Sequence, residues 1–153
     1  MLRVGVISDT HGLLRPQALT ALRGSDAIIH AGDIGAREVL DALASLAPVT
    51  AVRGNNDDEA WARKIPERAM LQVGEARLLV LHDLHALGGD SRADGCAAVI
   101  TGHSHRPAIS ERNGVLYVNP GSAGPRRFNL PVAVACLHVR GARVRGEVVL
   151  LDV

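Results

Sequence analysis

The chain has 153 residues, 47% of them hydrophobic, and a formal net charge of +1 with its histidines neutral. That length suits one domain with a packed core, taken as residues 1–153, and the composition excludes a disordered chain. The near-neutral balance excludes a global field that would draw in nucleic acid or an anionic membrane, and no stretch approaches the ~18 apolar residues of a membrane span.

Lys64 is the single Lys among 17 basic residues, and the arginines are scattered, which reads as compositional bias rather than a phosphate-binding surface. Cys96 and Cys136 lie in apolar runs with no CxxC spacing. They predict two buried thiols in a reducing compartment. The apolar run at the N-terminus breaks at Asp9, too early for a signal peptide, so a soluble, cytoplasmic protein is expected.

The first half alternates strand and helix signals. A buried strand is predicted over 2–8, a helix from Pro16 to about Leu22 and a strand over 26–30. A helix over 36–47 follows, with Val39, Leu40, Leu43 and Leu46 at helical spacing and Pro48 as its stop, then a strand over 49–53. This β-α-β-α-β order argues for a parallel sheet with crossover helices. The second half is strand-rich. A hairpin is predicted around 74–76, a strand over 96–101, a hairpin at Asn113-Gly114 and a last hairpin around 140–143. Two packed sheets with helices outside fit this pattern.

Polar residues cluster where these strands end. The first runs into Asp9-Thr10-His11, the second into Gly32-Asp33 and the third into Gly54-Asn55-Asn56-Asp57. The strand over 77–82 closes on His82, and the strand over 96–101 leads to Gly102-His103-Ser104-His105. Ligands gather at the carboxyl ends of strands in such sheets. Carboxylates, an amide and imidazoles without a thiolate suit Mn, Fe, Zn, Co or Ni. Two close metals need an anionic bridge, and Asp33 sits between Asp9/His11 and Asn55/His82/His103. Singly, each piece has a plain reading: loop residues for Asp9 and His11, a turn residue for Asn55, a core histidine for His82, one strand face for His103 and His105. Their joint occurrence, in this order and each at a strand end, is what carries the metal reading.

These blocks, with Asn119-Pro120-Gly121-Ser122, resemble the calcineurin-like metallophosphoesterases, and within them the small YfcE-like bacterial phosphodiesterase branch. The resemblance implies an α/β fold, a four-layer α/β/β/α sandwich of two mixed β-sheets flanked by helices. It implies two divalent metal ions, with Mn as the first candidate. Asp9, His11 and His105 would hold one, Asn55, His82 and His103 the other, and Asp33 would bridge them. The implied activity is hydrolysis of a phosphoester substrate, foremost a phosphodiester, by metal-activated hydroxide attacking phosphorus in line. A homo-oligomer is plausible by family only.

Two departures stand out. Many relatives have His where this chain has Asn56; an amide can donate a hydrogen bond to a phosphoryl oxygen but cannot deliver a proton. The connection after His82, through Asp83 and His85 to Gly95, is shorter than in many relatives and should leave the site more open there. Asp57 is expected to order its loop, His30 to orient the bridge and His85 to be a loop histidine. Arg126 and Arg127 are read as a solvated pair with a phosphate-contact alternative. Trp61 should cover the core, and Phe128 should pack near the site or at a subunit contact. The competing class is a catalytically weak or inactive metal-binding scaffold, resembling a retromer subunit related to this family.

Overall fold

The computed structural model describes residues 1–89 and 91–153. Asp90, in the short connection after His82, lies outside the described residues. The first half builds β1 (Leu2–Ile7), α1 (Pro16–Leu22), β2 (Ala27–His30), α2 (Arg37–Ala44) and β3 (Val49–Ala51). The second builds β4 (Arg68–Val73), β5 (Ala76–Leu81), β6 (Ala98–Ile100), β7 (Ala108–Arg112), β8 (Val115–Asn119), β9 (Ala133–Arg140) and β10 (Arg143–Leu150). The sheet orders are β10-β9-β1-β2-β3 and β4-β5-β6-β8-β7. Both are mixed: β1, β2 and β3 run parallel, as do β5, β6 and β8, while β9 runs against β1, β10 against β9, β4 against β5 and β7 against β8.

Alternation along the strands makes the layers. In β1, Val4 and Val6 face the second sheet, while Ile7 faces the helices. In β5, Leu78 and Val80 point into the space between the sheets, and Leu79 and Leu81 point outward. Both faces of these strands are apolar because both are covered. Each such side chain, fully buried, contributes about 1.5–3 kcal/mol. Leu22 and Ser25 pack where a side chain on Gly5 would stand, which brings α1 close to β1. The Arg3 guanidinium pins the end of α1 by donating to the carbonyls of Ala21 and Arg23.

The predicted α2 overran its observed end by three residues. Ser45 Oγ donates back to the Ala42 carbonyl at 2.6 Å, and Leu46 N bonds Leu43 O, so the last turn tightens instead of extending to Ala47. At Asn113-Gly114 both φ values are positive, as a two-residue hairpin requires. The outer layer over the second sheet is thin. Two 3₁₀ turns, Leu84–Leu87 and Ser91–Gly95, stand there, and Leu87, Ala93 and Cys96 cover Leu79, Leu81 and Val99. The connection between β5 and β6 folds as these turns, with no α-helix among the described residues. Cys96 and Cys136 are buried thiols. Trp61 packs against the helix-side core, as expected, with Nε1 donating to Glu59. Among the described residues no helix is long and apolar enough to cross a membrane.

Candidate metal centre

The two parallel triplets present their carboxyl ends at one edge of the sandwich. Past the strand ends the loops stay laddered: Asp9 N donates to Gly32 O, His11 N to Asp33 O and Gly12 N to Ile34 O, at 2.8–2.9 Å. The second sheet joins them through His103 N, which donates to Asp9 Oδ2 at 3.0 Å, and His82 Nδ1, 2.7 Å from the Ala31 carbonyl. Asp9, His11, Asp33, His103 and His105 all adopt positive φ, between 46° and 72°. Such backbone costs of order 1 kcal/mol per residue and persists where the surroundings over-determine it, as at functional sites. The neighbouring glycines explain how the loops approach. A Cβ on Gly54 would fall inside the Asp33 carboxylate, and one on Gly102 inside Ser8 and Asp9.

The predicted positions separate into two groups. Asp9, His11 and His105 place one ligand atom each within 4.8 Å of one another, and so do Asp33, His82 and His103. Asp33 Oδ2 stands between the groups, 3.8 Å from His11 Nε2 and 3.2 Å from His82 Nε2. Asn55 is exposed on the rim of a cleft of about 240 Å³ that His82 and Asp83 also line. Asn56 donates its backbone N–H to Asp33 Oδ1 and its amide N–H to Asp33 Oδ2, at 3.0 and 3.2 Å.

Asp9 Oδ1, His11 Nε2 and His82 Nε2 are buried without a hydrogen-bond partner among the described residues. Buried polar atoms are rarely left so. Because His82 Nδ1–H donates to Ala31, neutral His82 turns the Nε2 lone pair toward carboxylate oxygens. A proton or a metal cation between them removes that repulsion. The proton affinities express the same demand. Burial pulls the His82 pKa down, but the Asp33 carboxylate 3.2 Å away and the charge of Asp9 outweigh it and raise it. Burial raises Asp9, more than Ser8, His82 and His105 lower it. At Asp33 burial is outweighed by His82 and by the Asn56 N–H, which hold the carboxyl well below its usual range. Burial lowers His105, with the charges of Arg127 and His11 adding to it. These oxygens and imidazole nitrogens therefore fit a divalent cation in each group.

The supports are less visible in the sequence. Asp57, as expected, orders its loop: its carboxylate accepts from Ile34 N, Gly35 N and Gly54 N. Each such N–H, if orphaned, would cost about 1–3 kcal/mol, so Asp57 clasps the Asp33 and Asn55 loops together. Ser8 Oγ donates to Asp9 Oδ2 at 2.6 Å, and Ser122 Oγ holds the Asp9 carbonyl. Asn119 Nδ2 donates to Gly102 O and Ser104 Oγ, bracing the His103–His105 loop. Ser8 and the bracing roles of Asn119 and Ser122 escape sequence reasoning; the signal for the latter two was the short Asn-Pro-Gly-Ser run after β8. His138 pairs with Glu147 on the β9–β10 hairpin, outside this site.

His30 is fully buried beneath the centre, with Nδ1 accepting from Gly32 N and Nε2 donating to Thr10 Oγ1, whose hydroxyl passes to Ile34 O. Burial pushes its pKa down to about 3. Below pH 6.5 the unfolded chain takes up a proton that folded His30 refuses, so this stability is present above 6.5 and lost as pH falls toward 3. Between pH 7 and 5 the loss is about 2 kcal/mol from this group alone. Denaturant melts at both pH values should show wild type losing about that much more than His30→Gln; equal losses would contradict it.

Residues 2–142 match the calcineurin-like phosphoesterase superfamily domain. The chain belongs to that superfamily. A probable metallophosphoesterase of Methanothermobacter thermautotrophicus is 32% identical over 161 residues, covering 95% of this chain and 91% of that protein. Among solved structures, one described as a novel archaeal phosphodiesterase superposes with a TM-score of 0.80 at 23% identity, over 97% of this chain and all of the other. Vps29 of Entamoeba histolytica complexed with Zn²⁺ superposes with a TM-score of 0.76 at 24% identity, over 99% of this chain and all of the other. The two structural likenesses establish the fold. This calcineurin-like chain is thus a member of a metallophosphoesterase family with two candidate metal-ligand groups at the expected edge.

Proposed function

We propose that the chain is a dinuclear-metal phosphodiesterase. The observation that carries this reading is the convergence of Asp9 Oδ1, His11 Nε2 and His82 Nε2, buried and unpaired among the described residues, around Asp33 Oδ2. Asp9, His11 and His105 would hold one ion, and Asn55, His82 and His103 the other, with Asp33 between. The oxygen and imidazole set favours Mn²⁺, with Fe, Zn, Ni and Co compatible. Such ions, when bound, supply Lewis acidity that acidifies water and neutralises charge developing on phosphoryl oxygens.

The chain's own residues position the reaction. Asp57 and Ser8 fix the carboxylate loops, so little reorganisation is left for the moment of reaction. Asn56 spends one amide N–H on Asp33 and has a second for a phosphoryl oxygen. It supplies no titratable proton, so acidic leaving groups should depart best. Arg127, whose charge is felt at His105, draws the phosphate to this rim. A cytoplasmic location and a homo-oligomeric state complete the proposal; Phe128, 86% exposed, is the side chain a subunit contact would cover.

A metal-binding scaffold is the second reading, favoured by the fold likeness to Vps29. That protein was solved with Zn²⁺, so metal uptake alone does not separate the readings; turnover does. Metal-stripped protein should hydrolyse a bis-aryl phosphodiester on addition of Mn²⁺. Tight uptake without turnover of diesters or monoesters would favour the scaffold.

A further inference from the structure

A second cleft, of about 320 Å³, opens beside the metal centre on the outer face of the second sheet. His103 and Asp83 stand on its inner lip, so it is continuous with the second metal-ligand group. Its floor carries Tyr117 of β8 and Arg112 of β7, and Arg106 stands on its rim. The cleft exists because the connection after His82 is short: the turn Leu84–Leu87 walls one side of it, and no long helix covers the floor there among the described residues.

The chain has one Tyr, one Trp and one Phe, and its Tyr lies here. Tyr117 is half-buried, and the Arg112 guanidinium lies over its ring at 4.8 Å. A flat cation on a flat ring makes a stacking platform for a planar group, which can add to the guanidinium or take its place on the ring. The spacing also fits. Tyr117 pairs with Val99, and His103 follows Val99 by four residues, so the backbone positions of Tyr117 and His103 lie at most about 13 Å apart along the strand direction. A nucleotide, whose base stands across a sugar from its phosphate, bridges a gap of that kind. A volume near 300 Å³ is at the small end of ligand clefts, suited to a single base and sugar rather than a polymer.

We propose that this cleft is a subsite for the organic group of the substrate, and that it takes a nucleobase or similar flat heteroaromatic group while the phosphate lies at the metal centre. The inference rests on the phosphodiesterase reading for what happens to that phosphate. Tyr117 and Arg112 bind the flat group by stacking, and Arg106 adds positive charge at the mouth.

The test is equilibrium binding by calorimetry to the Mn²⁺-loaded protein, with adenosine monophosphate and ribose phosphate as probes. The base should improve affinity on the order of tenfold or more, as stacking on an aromatic ring does. Tyr117→Leu, which keeps apolar bulk, and Arg112→Gln, at an exposed position, should each reduce that advantage, while Tyr117→Phe should keep it. Equal binding of the two probes, or a base advantage that survives both Tyr117→Leu and Arg112→Gln, would overturn the proposal. Turnover of diesters without any base advantage would sink the subsite and leave the phosphodiesterase reading standing. A base advantage lost with Tyr117, in a protein that turns over no ester, would keep the subsite and sink the phosphodiesterase.

Discussion

Asp33→Ala should lower metal-dependent diester hydrolysis by on the order of a thousandfold or more. Asp33 stands between the two groups, its Oδ2 3.8 Å from His11 Nε2 on one side and 3.2 Å from His82 Nε2 on the other. Its removal takes away the anionic charge that would let two cations sit close together. It also strands two Asn56 N–H donors and leaves His82 without its closest carboxylate. Because those losses could weaken the fold, Asp33→Asn is the companion variant. It keeps shape and an acceptor oxygen but not the charge. Both variants should take up fewer metal equivalents than wild type, and Asp33→Asn should melt close to the metal-free wild type. Substantial Mn²⁺-dependent turnover by Asp33→Ala would contradict the role.

Asn56→His should act in the opposite direction. General acid catalysis is worth about 10²–10⁴ where the leaving group is poor, and an amide cannot supply it. Asn56 is exposed and its amide already reaches Asp33, so an imidazole at this position would stand beside the phosphate. We expect a gain on the order of 10- to 100-fold for esters with poor leaving groups and little change for nitrophenolate. The measurement is the dependence of rate on leaving-group pKa across a series of aryl diesters. It should be shallower for Asn56→His than for wild type. An unchanged slope would mean that residue 56 does not face the leaving oxygen.

Much of this architecture could be read from the chain. Strand ends carrying Asp9, Asp33 and His103 were visible because apolar runs of strand length stop abruptly at polar residues, and parallel order places those stops at one edge. The Asn113-Gly114 hairpin was visible because the turn demands residues that tolerate positive φ. The hidden features are those made by distant partners. Asp57 accepts N–H groups 22 and 23 residues away, and Ser122 reaches Asp9 across 113. No local pattern announces such bonds. The same is true of the bond from the Asn56 amide to Asp33, 23 residues away. Helix ends were also blurred, since Ser45 turned its hydroxyl back on α2 where hydrophobic spacing alone continued to Leu46. The aromatic cleft depended on both kinds of information: its openness followed from a short connection, but the stacking of Arg112 on Tyr117 comes from the pairing of β7 with β8.

A pair of metal ions acting together on a phosphodiester should show itself in a single titration. Mn²⁺ is added stepwise to metal-stripped protein while bound metal and hydrolysis of a bis-aryl phosphodiester are followed in the same samples. Turnover should be absent from the stripped protein and reach its plateau only when about two equivalents are bound. Full activity at one equivalent, activity that survives complete stripping, or two tightly bound equivalents with no turnover would contradict it.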